Sequence, residues 1–184
     1  MILEVRTVEP FYKNGFVVGC ERTHEAVLID PGDEVDQLVE IIHERKLKIR
    51  HILLTHAHID HITGVQTAKD KFNVPIYLHR DDLFLYEAVV QQGAMFGIHA
   101  EALPPIDRFY DSSVIHFGDY EVCIHHTPGH CPGGVCLQIG KKGSADKHLF
   151  VGDTLFSGSV GRTDLPGGDY EILLRSITTV IFTL

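Results

Sequence analysis

Residues 54–64 read Leu54-Thr55-His56-Ala57-His58-Ile59-Asp60-His61-Ile62-Thr63-Gly64, directly after the apolar residues Ile52 and Leu53. The apolar stretch has the character of a buried strand, so any fold of this chain must end a core strand in a cluster of imidazoles and a carboxylate. Such groups suit zinc, iron or manganese. With the backbone extended, His56 and His58 can face one point. Asp60 and His61 follow as the chain turns into a helix and can face a second point nearby. One short segment can therefore serve two adjacent ions. The competing reading is a solvated loop, since 13 histidines in 184 residues produce some clustering by chance. The H-x-H-x-D-H spacing between a strand and a helix start, with further donors downstream, favours the metal reading.

Length fits one domain over residues 1–184, large enough for a substantial core. The first six residues lack the basic-then-apolar layout of a signal peptide, and no apolar run is long enough for a membrane span. A cytoplasmic protein is expected. A formal net charge of −9 argues against a nucleic-acid partner. Divalent ions would offset that charge locally and still admit an anionic substrate. The cysteines, Cys20, Cys123, Cys131 and Cys136, show no C-x-x-C spacing and no sign of a disulfide framework. Cys123 and Cys136 read as small core residues, and Cys131 as packing beside His130.

Extended segments are expected at 3–8, 16–18 and 26–29, the last ending in the turn Asp30-Pro31-Gly32. Val35, Leu38, Val39 and Ile42 predict a helix over 34–46. A strand at 49–54 delivers the histidine run. Helix 62–72, strand 74–78 and helix 81–92 follow, and then residues 93–105, read as a loop lining a pocket. Strands are expected at 114–117, 120–127, 134–139 and 148–151, a helix at 170–176 and a closing strand at 178–184. Periodicity alone supports a mixed α and β domain, which two packed sheets with helices outside would satisfy.

Two further candidate ligands lie downstream. Thr127-Pro128-Gly129-His130-Cys131-Pro132-Gly133-Gly134 aims His130 from a tight turn at the end of a β-run. Leu149-Phe150-Val151-Gly152-Asp153 ends an apolar strand in a single carboxylate. Alone, such an aspartate is more often a cap or turn former.

In this order, the three motifs resemble the metallo-β-lactamase superfamily. The resemblance spans nearly the whole chain and implies an αββα sandwich of two packed mixed sheets with helices outside and metals at one edge. It implies that His56, His58 and His130 hold a first ion and that Asp60 and His61 hold a second, with Asp153 bridging. The stretch from Asp153 to Gly168 is similar to the short, single-domain bacterial hydroxyacylglutathione hydrolase-like proteins of the glyoxalase II branch. Its Gly161-Arg162-Thr163-Asp164 portion is also similar to persulfide dioxygenases. Arg162 either positions an anionic substrate or pairs with Asp164. Glyoxalase II carries a further C-terminal helical region, and the family usually ends in another histidine. No histidine follows His148 here, so the chain is expected to lack its C-terminal end and glutathione selectivity is in doubt.

The expected activity is hydrolysis of a small-molecule thioester such as S-2-hydroxyacylglutathione. One or two zinc ions, or iron or manganese, would activate water, and Asp60 would orient it and take its proton. The alternatives are a mononuclear iron persulfide dioxygenase using His56, His130 and Asp153, and a non-catalytic metal-binding scaffold.

Overall fold

The computed structural model describes residues 1–9 and 11–184. A six-stranded sheet is formed by β1 (Ile2–Thr7), β2 (Asn14–Gly19), β3 (Glu25–Ile29), β4 (Lys48–Leu53), β5 (Ile76–Leu78) and β6 (Arg108–Phe109), in that order. Its first three strands pair antiparallel and β3 through β6 pair parallel. The second sheet runs β10 (Lys147–Phe150), β9 (Val135–Lys141), β8 (Tyr120–His126), β7 (Ile115–Phe117). All of its pairings are antiparallel. The expected pair of mixed sheets is therefore one mixed and one antiparallel sheet. Tight turns such as Gly118-Asp119 join the later strands directly, with no helix between them to cross over.

β3 shows why the layers stack as they do. Ala26 and Leu28 belong to one core cluster, Val27 and Ile29 to the other, and all four are fully buried. An unbroken apolar run suits a strand covered on both faces. Val27 and Ile29 meet Phe117, Tyr120, Val122, Leu137 and Ile139 of the second sheet. Ala26 and Leu28 meet the helices: α1 (Val35–Glu44) presents Leu38, Val39 and Ile42, and α3 (Val65–Phe72) presents Val65 and Ala68. The short α2 (Ile59–Ile62) carries the second half of the histidine run. On the other side, α6 (Tyr170–Thr179) sets Leu173 against Gly129 and donates a hydrogen bond from Ser176 Oγ to Pro128 O, 2.7 Å. The arrangement is the αββα sandwich.

Three local expectations change. The helix expected over 81–92 is a 3₁₀ turn (Arg80–Asp82) followed by α4 (Leu83–Glu87) and α5 (Val89–Phe96). Of the expected pocket-lining loop, residues 93–96 belong to α5. Ala102, Leu103, Pro104 and Pro105 line a groove of about 450 Å³ with Tyr86 and Phe109, and no candidate ligand borders it. The strand expected at 178–184 is overturned: α6 continues through Thr179 and Ile181–Thr183 is a 3₁₀ turn. Threonines favour strands, but here Thr178 and Thr179 donate their hydroxyls to the carbonyls of Leu174 and Arg175, each at 2.8 Å. That local bond lets a β-branched residue stay in the helix. A short hairpin, β11 (Leu155–Phe156) and β12 (Ser159–Val160), was not foreseen. Among the described residues, no helix is long and apolar enough to cross a membrane.

Candidate metal centre

Strand ends from both sheets converge on one point. β4 runs out at Leu53, and His56 and then His58, the latter in extended backbone, follow before α2 raises Asp60 and His61. From the second sheet, β8 leads into the turn carrying His130, and β10 leads through Gly152 to Asp153. Gly152 has a φ of +50°, and a Cβ there would lie 2.5 Å from Thr55 Oγ1. Only glycine admits both the left-handed backbone and the close approach that brings Asp153 beside the histidine run.

Two donor groups result. His56, His58 and His130 each offer a ring nitrogen within 4.8 Å of the others', and so do His56 and His61 with an oxygen of Asp153. His58 Nδ1 and His130 Nε2 stand 2.8 Å apart. Asp153 faces both groups: Oδ1 lies 3.2 Å from His61 Nε2 and Oδ2 lies 3.7 Å from His130 Nε2. Asp60 Oδ2 is 3.6 Å from His61 Nε2. All six proposed ligands are thus gathered at one place. The Arg162 guanidinium forms a two-pronged pair with Asp164, both contacts 2.7 Å, while its backbone carbonyl accepts from His130 Nδ1 at 2.7 Å.

At His56, His61 and His130, hydrogen bonds on the far ring nitrogen fix which nitrogen faces inward. The Arg162 carbonyl can only accept, so His130 Nδ1 carries the proton and Nε2 presents its lone pair. Thr55 Oγ1 donates to Asp30 Oδ2 at 2.6 Å and so accepts from His56 Nδ1 at 3.1 Å. His61 Nδ1 donates to Asp30 Oδ2 at 3.0 Å. His56 Nε2 and His61 Nε2 are left buried without a hydrogen-bond partner. Buried polar atoms rarely stay unpaired, and a cation at each donor group satisfies both. The residues present fit metal.

Electrostatics divide the rings, favouring the neutral form at His56 and His58 and the protonated form at metal-free His61. Burial, reinforced by the neighbouring imidazoles, holds His56 well below its ordinary pKa and pulls His58 down to about 3. Both rings are neutral at pH 7, the form that ligates. Burial also acts to lower His61, but Asp30, Asp153 and Asp60 outweigh it and push the ring up to about 10. Asp60 is raised by burial and by Asp153, with His61 acting against them.

The residues that support these ligands were not evident in the sequence. Asp30 looked like turn chemistry alone; with φ at +48° its carboxylate also accepts from Thr55 N at 2.7 Å. Lys13, which lines the cleft, is buried and bonded to Asp30 O and to Glu34 Oε1, the latter at 2.6 Å. Cys131 is buried, its thiol donating to Asp82 Oδ2 at 3.1 Å, and Cys136 is buried as well. Cys123 is only half-buried on the outer face of β8, so its expected core place is corrected. His79, Asp81 and His126 form another donor cluster, but the two rings lie 12° from parallel at 4.1 Å. Their in-plane lone pairs run side by side and do not converge on one ion.

An αββα sandwich with paired imidazole–carboxylate groups where strand ends meet defines a class of metal-site proteins. The chain belongs to the metallo-beta-lactamase superfamily, whose family model matches residues 8–181. It is 36% identical over 188 residues to the hydroxyacylglutathione hydrolase GloC of Haemophilus influenzae, covering 100% of this chain and 86% of that protein. The crystal structure of the BLEG-1 B3 metallo-beta-lactamase superimposes with a TM-score of 0.87 at 34% identity, covering 100% of this chain and 87% of that one. That of TTHA1623 in a di-iron-bound form gives 0.84 at 35% identity, covering 98% and 87%. Family and donor set together imply metal ions.

Proposed function

We propose that the chain, acting as one domain, is a metal-dependent hydrolase of thioesters, with S-2-hydroxyacylglutathiones such as S-lactoylglutathione as the substrate class. The observation that carries this reading is the pair of adjoining donor groups that share His56 and face the two oxygens of Asp153, with Asp60 beside them. The likeness to a hydroxyacylglutathione hydrolase supports the choice of substrate.

His56, His58 and His130 would hold one ion, Asp60 and His61 a second, with Asp153 shared. Zinc, iron or manganese bound there supplies a Lewis acid and lowers the pKa of water to about 7. The chain's residues do the rest. Asp60, more basic than an ordinary carboxylate, orients the attacking water and takes its proton. Water oxygen bonds to the thioester carbonyl carbon, the C–S bond breaks, and the sulfur leaves with the electron pair as thiolate. A thiol of pKa about 8.5 is a good leaving group, so no strong general acid is required. The cleft, about 510 Å³, is lined by Phe11, Tyr12, Phe16 and Phe156, which offer apolar surface beside the site. Arg162 would meet an anionic portion of the substrate by exchanging its pair with Asp164.

A second reading, a mononuclear iron persulfide dioxygenase using His56, His130 and Asp153, is supported by Asp153 Oδ2 lying 3.7 Å from His130 Nε2, with His56 in the same three-histidine group. The test is loss of thioester absorbance from S-lactoylglutathione with metal-loaded protein. Turnover that a chelator abolishes supports the hydrolase. No turnover, with oxygen uptake on glutathione persulfide, transfers the function to the dioxygenase. Metal retained with neither activity indicates a scaffold.

A further inference from the structure

Behind the three-histidine group stand two side chains that the mechanism above does not use. Asp82, at the end of the 3₁₀ turn, is fully buried, and Gln92 of α5 is 8% exposed. Asp82 Oδ2 accepts from Ala57 N at 3.0 Å and from the Cys131 thiol at 3.1 Å; Oδ1 accepts from Gly133 N at 2.5 Å. Gln92 Oε1 accepts from Ile59 N at 3.0 Å, while Nε2 donates to Ala57 O at 2.9 Å and Leu85 O at 2.8 Å. Of the residues on either side of His58, Ala57 is therefore gripped by both side chains and Ile59 by Gln92. The same Asp82 carboxylate holds the turn that carries His130.

A carboxylate and an amide are costly to bury, and apolar residues would fill the space without that cost. What they could not do is tie two separate loops by their peptide N–H groups. The chain also accommodates the contact: a Cβ at Gly133 would fall 2.6 Å from Asp82 N. His56 and His61, in contrast, are held from the opposite side by Thr55 and Asp30. His58 and His130 thus have a support apart from that of the shared His56 and of His61.

We infer that Asp82 and Gln92 are positioning residues of the three-histidine group, holding His58 and His130 at the separation that one ion needs. This rests on the metal reading of the site. Asp82→Asn retains size but leaves a single oxygen, so the amide NH₂ confronts one of the two peptide donors. The measurement is a zinc titration against a chromophoric chelator, for wild type and Asp82→Asn, alongside the unfolding temperature of each metal-free protein. One zinc equivalent is expected to weaken about 10–100-fold while the other is unchanged. Cys131→Ser, which keeps a donor to Asp82, should bind like wild type. A merely structural Asp82 would lower the metal-free unfolding temperature and leave both equivalents as in wild type; that result overturns the inference, as does equal weakening of both. If Asp82→Asn does not fold, Gln92→Met supplies the same comparison. Wild-type protein that takes up no zinc overturns the metal reading itself, and the clamp with it.

Discussion

Asp60 and the histidines differ in what they contribute, and substitution separates them. Asp60→Ala removes the proton acceptor and is expected to lower kcat by about 10²–10⁴-fold. His79→Ala and His116→Ala, outside the donor groups, should change it little. Steady-state turnover of S-lactoylglutathione reads all three, and equal losses would count against the role given to Asp60. At this scale the ligands were legible because four of them crowd one short run and the other two sit beside glycine at strand ends. Their supports were not. Asp30 sits in an Asp-Pro-Gly turn that accounts for it locally, and Asp82 is the second of two adjacent aspartates of which only one is buried. Nothing in the chain's local chemistry distinguishes them; Asp30 is singled out only when the segment after β4 packs on it, and Asp82 only when the turn after β8 arrives.

Elements are joined at this site by backbone as much as by side chains. At Gly129, φ is +130° and a Cβ would stand 2.3 Å from the backbone of Leu173, so α6 rests directly on the turn that aims His130. Gly129→Ala should cost about 1–3 kcal/mol, measured as a lower urea midpoint. An unchanged midpoint would show that α6 does not depend on this contact. A second junction is the Gly118-Asp119 turn. A hydrogen bond from Gly118 N and pairing with Arg50 hold Glu25 below the usual carboxylate range, and Arg22 holds Asp119 down to about 2. Depressed pKa values mean stability that is present above the unfolded values and lost as pH falls through the folded ones. The metal-free protein should therefore lose stability between about pH 5 and 2, with a shallower fall in Asp119→Asn. These groups are exposed, so screening keeps the effect small. A denaturation series across that range checks the sign. Most element positions followed from apolar spacing, β3 above all being too apolar to lie anywhere but between layers, whereas the strand order was not foreseen. The end of α6 did not, because its threonines read as strand until their hydroxyl partners are seen.

For the molecule as a whole, the metals act as ligands that bind only the folded state. At a free concentration of 100 times Kd, one such ion adds about 2.7 kcal/mol, which for a chain of this size is roughly 5–11 °C in unfolding temperature. Chelation should lower Tm by that order, and no shift on chelation would argue against a site coupled to the fold. The donors also come from distant parts of the chain: His56, His58, Asp60 and His61 after the first sheet's β4, His130 and Asp153 after strands of the second. A growing polypeptide that has released only the earlier run owns several imidazoles but neither complete group. The three-histidine group must wait for His130 to emerge, the second group for Asp153, and both for the two sheets to close. The centre is therefore assembled after most of the chain has been translated, and a fragment cut between the sheets should complete neither donor group.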